Sequence, residues 1–124
     1  RMLSSMSPTI VEDKEGNLFL VLGSPGGSTI ITTVAQIISN IIDYNMPLKD
    51  AIESSRTHHQ WLPDKIFIEE GSINQDIINE LSEIGHDIGY KSSIGEANCI
   101  MYDKSSNLFY GVSDDRRNGE AIGY

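Results

Sequence analysis

Cysteine occurs once in the 124 residues, at Cys99, so neither an intrachain disulfide framework nor a cysteine-rich metal cluster can form. Compartment stays open on this ground, because exported proteins can lack disulfides. Basic residues are scarce as well. Nine Lys and Arg face eighteen Asp and Glu, and the net charge of −9 repels phosphate backbones and anionic headgroups, which argues against nucleic acid as a partner. Long apolar runs are missing: the richest stretch, Ile30 to Ile42, is broken by Thr32, Thr33, Gln36, Ser39 and Asn40 and is too short and polar to span a bilayer. No membrane insertion is expected in this segment. The opening Arg1-Met2-Leu3-Ser4-Ser5 has no apolar core or cleavage site of a signal peptide. A strand-like stretch begins almost at once with no lead-in, so the polypeptide is expected to be the tail of something longer.

What is present suffices for a core: 39% of the residues are hydrophobic, and the length suits one domain, residues 1–124. Ser7-Pro8-Thr9-Ile10-Val11 and Asn17-Leu18-Phe19-Leu20-Val21 flank a charged, glycine-terminated turn and read as a hairpin. Ile30, Ile31, Val34, Ile37, Ile38, Ile41 and Ile42 recur at helical spacing, with Thr32, Thr33, Gln36, Ser39, Asn40 and Asp43 as the polar face of one amphipathic helix reaching about Tyr44. Asn45-Met46-Pro47 stops it, and Pro47 opens a short second helix through Glu53. The segment from Arg56 to Asp64 has neither period and reads as irregular. Lys65 to Glu69 alternates like a strand, Asn74 to Ile84 reads as a third helix stopped by Gly85, and a strand is expected near His86 to Tyr90. Ala97 to Tyr102 and Leu108 to Val112 form a second hairpin, and the remainder from Ser113 is polar and turn-like. This order predicts an α+β fold, helices laid on a largely antiparallel sheet.

Gly23-Ser24-Pro25-Gly26-Gly27-Ser28 lies where the second strand gives way to the first helix. A glycine turn between a strand and a helix leaves backbone N–H groups at the positive helix end, which suits an anion or a developing oxyanion. It is not a Walker loop, since no Lys follows the last glycine, and it is not G-x-G-x-x-G. Local pattern alone favours the plainer alternative, a turn that needs positive φ at its glycines. His58 and His59, with His86 as a possible third ligand, have no metal-site spacing and no acidic residue at a helical offset, so no metal is expected; packing and hydrogen bonding alongside Trp61 is the better reading. Cys99, in an apolar strand without a basic neighbour, reads as an inert core thiol. Spacing supports no Ser-His-Asp triad.

Three long motifs in register, Leu3-Ser4-Ser5-Met6-Ser7-Pro8-Thr9-Ile10, Gly23-Ser24-Pro25-Gly26-Gly27-Ser28 with Ile30-Ile31-Thr32-Thr33, and His58-His59-Gln60-Trp61-Leu62-Pro63-Asp64, closely resemble the small subunit of gamma-glutamyltranspeptidases. The likeness runs to Gly111-Val112-Ser113-Asp114 and the final Gly123-Tyr124. The resemblance implies part of the αββα sandwich of N-terminal nucleophile hydrolases, bacterial in origin, whose two subunits arise when a precursor cleaves itself. It implies that a threonine at the start of the small subunit attacks a γ-glutamyl carbonyl of glutathione or a similar compound, and that water or an acceptor amine resolves the acyl-enzyme, with no cofactor. It assigns Gly26 and Gly27 to the oxyanion hole and Ser4 and Ser5 to the α-carboxylate of the glutamyl group. The partners implied are the large subunit and the N-terminal part of the small subunit of the same precursor, in the periplasm or outside the cell.

Three positions depart from the family pattern. Met2 replaces a usual Pro, Thr29 stands where Arg commonly follows Gly-Gly-Ser, and Asp115 stands where Pro is usual. The family's initial Thr-Thr-His is not in this sequence, so the piece alone is expected to be inactive. Two other functions stay open: a non-catalytic relative that binds a carboxylate through the same turn, and an acylase of the same family acting on another γ-glutamyl or acyl amide.

Overall fold

The computed structural model describes residues 7–123; Ser4 and Ser5 lie outside the described residues. The chain forms two compact units, one drawn from Arg1–Glu53 and Gly95–Tyr124, the other Ser54–Ile94.

In the first unit, β1 (Thr9–Glu12), β2 (Leu18–Gly23), β6 (Asn98–Asp103) and β7 (Leu108–Ser113) make an antiparallel sheet in the order β1-β2-β6-β7. Each expected hairpin is present, and the two join through β2 and β6, with Leu20 opposite Met101 and Leu22 opposite Cys99. Because side chains alternate along a strand, these four residues share one face. Against them pack α1 (Ile30–Ile42), through Ile30, Val34, Ile37 and Ile41, and α2 (Leu48–Glu53), through Leu48, Ala51 and Ile52. Burial of an Ile, worth about 1.5–3 kcal/mol, outweighs the few tenths that its branching costs a helix. The face is narrower than the periodicity suggests. Ile31 and Ile42 are exposed, while Thr33, expected on the polar side, is fully buried. Asn45, at φ 53°, turns the chain out of α1, and Asn40 Nδ2 donates to the Ala51 carbonyl at 3.2 Å, fastening α1 to α2.

The other sheet face carries a row of partners across all four strands, Ile10, Val21, Ile100 and Gly111. Ile10 and Ile100 on it are exposed, as are Phe109 beside them and Ile122. The tail crosses this face at Gly111, where a Cβ would lie 3.5 Å from that of Ala121.

Beyond β7 the chain is turn-like, as its composition suggests, but Asp114 is wholly buried. Its Oδ2 accepts the Ala97 N–H at 2.9 Å, and its Oδ1 accepts the Arg116 N–H and guanidinium, each at 3.1 Å. Arg116 also donates to the Ile52 carbonyl at 3.1 Å, so one ion pair joins the end of α2 to the strand following Gly95.

The hairpin tips have an acid-sensitive feature. Asp13 accepts hydrogen bonds from the Asn17 side chain and from the N–H groups of Asn17 and Glu15, which hold its carboxyl below the ordinary 3.8. The Ser106 and Ser105 hydroxyls, then the Ser105 N–H, do the same for Asp103. A carboxyl with a lowered folded value stabilises the fold fully above the unfolded value, near 3.8, and that contribution is lost as pH falls through the folded value. A D13N/D103N variant is therefore expected to lose stability less steeply below this pH than the parent, as read by denaturant melts at successive pH; identical slopes would contradict it.

In the second unit, β3 (Thr57–His58) pairs antiparallel with β4 (Ile66–Glu69), and β4 pairs parallel with β5 (Ile88–Lys91). β4 and β5 are the parallel exception to the largely antiparallel pairing, because α3 (Gln75–Glu83) lies between them and a helical crossover returns the chain in the same direction. The Asn74 side chain caps α3 by accepting the Asp76 N–H at 3.0 Å, and Gly85, at φ 102°, ends it. A short strand also occupies residues read as irregular. Glu69 is the polar centre of this unit: its carboxylate accepts the N–H groups of Arg56, at 3.1 Å, and Ile94, at 2.7 Å, while Arg56 Nη1 donates to the Ile94 carbonyl at 3.0 Å. These buried hydrogen bonds close the two ends of the unit on each other.

Candidate oxyanion turn

β2 ends at Gly23, and a 3-10 turn, Gly27–Thr29, runs directly into α1. Gly26 sits at φ 138° and Gly27 at φ 61°, conformations that L side chains rarely adopt. The first bonds of the new helix are Thr29 N–H to the Gly26 carbonyl, at 3.2 Å, and Ile30 N–H to that of Gly27. The N–H groups of Gly26 and Gly27 precede this ladder and meet no acceptor among the described residues. Both glycines are exposed, at the positive end of a thirteen-residue helix. Two adjacent free donors here can receive an anion.

The turn rests on buried hydroxyls. Thr29, only 6% exposed, donates from Oγ1 to the Gly26 carbonyl at 3.0 Å. Ser24, 1% exposed, donates to the Pro25 carbonyl at 2.7 Å and accepts the Glu96 N–H at 3.0 Å. Gly95 allows this approach, since a Cβ on it would come within 2.3 Å of Thr33 Oγ1 and 3.1 Å of Ser24 Oγ. None of Ser24, Thr29 or Gly95 stands out as functional in the sequence. For Thr29 a signal existed, a hydroxyl residue immediately before a helical period. For Ser24 none did, because its partner is 72 residues away.

The described residues include Gly26 and Gly27 but not Ser4 and Ser5; Ser7 and Pro8, which follow the serine pair in the chain, lie against Gly23. The histidines diverge. His58 is buried with Nε2 3.1 Å from Gln60 Oε1, whereas His59 accepts the Trp61 N–H at Nδ1 and has its Nε2 3.1 Å from Asp64 Oδ1. Among the described residues no three His, Cys, Asp or Glu side chains converge as a metal site. Of the packing and hydrogen bonding expected alongside Trp61, the hydrogen bond from its N–H to His59 is present, while the indole itself is 78% exposed. Cys99 is buried in the core, as its apolar strand suggests.

The gamma-glutamyltranspeptidase family model matches residues 1–124. The chain is 47% identical over 116 residues to the glutathione hydrolase proenzyme of Escherichia coli (strain K12), a match covering 94% of this chain and 20% of that protein. A mutant gamma-glutamyltranspeptidase of Helicobacter pylori superposes with a TM-score of 0.86 at 47% identity, over 93% of this chain and 62% of that one. The enzyme of Pseudomonas nitroreducens complexed with L-DON gives 0.90 at 35% identity, over 100% of this chain and 64% of that one. The chain thus spans about a fifth of the length of the curated relatives it matches. With its α+β fold matching N-terminal nucleophile hydrolase structures, this chain belongs to the gamma-glutamyltranspeptidase family.

Proposed function

We propose that this chain is the C-terminal part of the small subunit of a bacterial gamma-glutamyltranspeptidase, and that Gly26 and Gly27 form its oxyanion hole. The observation that carries the reading is the pair of N–H groups that meet no acceptor among the described residues at the start of α1. A threonine contributed by the preceding half of the small subunit attacks the γ-glutamyl carbonyl of glutathione or a similar amide. As the Oγ–C bond forms, negative charge develops on the carbonyl oxygen, and the two donors stabilise it without reorganising. The C–N bond then breaks, the nucleophile's proton leaves with the amine, and water or an acceptor amine releases the glutamyl group from the ester. Ser4 and Ser5 donate to the α-carboxylate of the same group, and no cofactor is needed. Lacking the nucleophile, residues 1–124 alone are inactive.

The remaining parts of the precursor are the partners. In support, the open sheet face bearing Ile10, Ile100 and Phe109 is the kind of apolar surface that a neighbouring layer covers. The complete enzyme acts in the periplasm or outside the cell. Its test is glutathione hydrolysis by the complete precursor and by the S4A/S5A double variant. Each lost hydrogen bond to a charged group is worth about 1.5–3 kcal/mol, so KM for glutathione is expected to rise by at least about tenfold. Unchanged kinetics would remove the serines from the site.

A further inference from the structure

In a trans peptide the carbonyl and the N–H of the same plane point in opposite directions, so holding the carbonyl aims the N–H. The Gly26 N–H belongs to the plane that carries the Pro25 carbonyl, and the Gly27 N–H to the plane that carries the Gly26 carbonyl. Each of these carbonyls is held by a hydroxyl: Pro25 by Ser24 Oγ at 2.7 Å, and Gly26 by Thr29 Oγ1 at 3.0 Å. We propose that Ser24 and Thr29 are positioning residues, each latching one of the two peptide planes whose N–H groups make the oxyanion hole. The inference rests on the function proposed above for those donors.

Latching is needed because of what the turn is made of. Two consecutive glycines have no Cβ to resist rotation of the plane between them, and a flipped plane would aim the Gly26 carbonyl oxygen, rather than the Gly27 N–H, at the developing negative charge. The Thr29 N–H reinforces the hydroxyl at the same carbonyl, at 3.2 Å. The Ser24 hydroxyl is itself oriented from the side, since it accepts the Glu96 N–H and so directs its proton to Pro25. Ser24 and Thr29 are themselves nine-tenths or more buried, so each hydroxyl reaches the exposed Pro25–Gly26 turn from a side chain fixed in the packed interior.

The experiment uses the complete precursor and three variants. T29V keeps the shape of the side chain and removes the hydroxyl, T29S keeps the hydroxyl, and S24A unlatches the other plane. Deleting an oxyanion donor costs about 10²–10³ in kcat, and a donor that is present but misaimed part of the time is expected to cost about tenfold. T29V and S24A should each lose about that much kcat with KM for the γ-glutamyl donor unchanged within about twofold, and T29S should recover most of it. A T29V kcat within twofold of the parent, or a T29S loss as large as that of T29V, would overturn the latch. Crystal structures of the parent and T29V give a readout that does not depend on turnover: the Gly26–Gly27 plane is expected in one orientation in the parent and in two in T29V. One orientation in both overturns the latch. A parent that hydrolyses no γ-glutamyl amide, with the flip present in T29V, would refute the proposed function while leaving the latch standing.

Discussion

G26A is expected to lower kcat for γ-glutamyl amide hydrolysis by the complete enzyme about 10²–10³-fold, the loss that follows removal of an oxyanion donor. Two effects combine at this position. The backbone stands at φ 138°, outside the range an alanine adopts without strain, and an added Cβ would lie 2.5 Å from Thr29 Oγ1. Relief moves either the Gly26 backbone or the hydroxyl that holds its carbonyl, and both misdirect the donor pair. Gly27 is the internal comparison. It stands at φ 61° with nothing within 4 Å of its Cβ position, so G27A meets only the left-handed strain of about 1–2 kcal/mol. Steady-state kinetics of both variants should therefore show a much larger loss of kcat at position 26, with KM little changed. Equal losses at the two positions would mean that the contact with Thr29 is irrelevant to the chemistry.

D114A is expected to be the most destabilising single substitution in the unit that carries the turn, by about 3–5 kcal/mol. The carboxylate is wholly buried, and its removal strands the Ala97 N–H, the Arg116 N–H and a guanidinium that is itself largely buried. An unpaired buried charge costs more than the pair ever contributed, which is why removal of one partner is so harmful. D114N keeps the shape and one acceptor but turns an amide N–H toward at least one donor, so it should fall between the parent and D114A. Thermal denaturation of the complete protein orders the three variants; a D114A melting temperature equal to that of the parent would show that the ion pair contributes nothing.

The long elements were legible because their signals are local. The Ile spacing gave α1, the helical period from Asn74 to the Gly85 stop gave α3, and the polar turns between β-rich runs gave both hairpins. What escaped depends on partners remote in sequence. Glu69 is buried because Arg56 and Ile94 complete it, and Asp114 because Ala97 does; no window around either carboxylate distinguishes it from an exposed one. The parallel pairing of β4 with β5 follows from α3 crossing between them, a matter of connection rather than composition. Within α1, periodicity placed the helix but not the limits of its buried face, so Ile31 and Thr33 exchanged their expected environments. At the site, Gly26 and Gly27 were readable as a turn and, through the surrounding motifs, as a family feature. The hydroxyls that aim their N–H groups were not, since Ser24 and Thr29 acquire that meaning only when the carbonyls they hold are seen.

The most direct test of the account is the single-turnover rate of acylation when the complete protein is mixed with a chromogenic γ-glutamyl anilide, parent against G26A. The account predicts a burst of released amine from the parent, matched by one γ-glutamyl ester per active site, and acylation at least about a hundredfold slower in G26A. Acylation of G26A within twofold of the parent, or release of amine by the parent with no covalent intermediate, would contradict it.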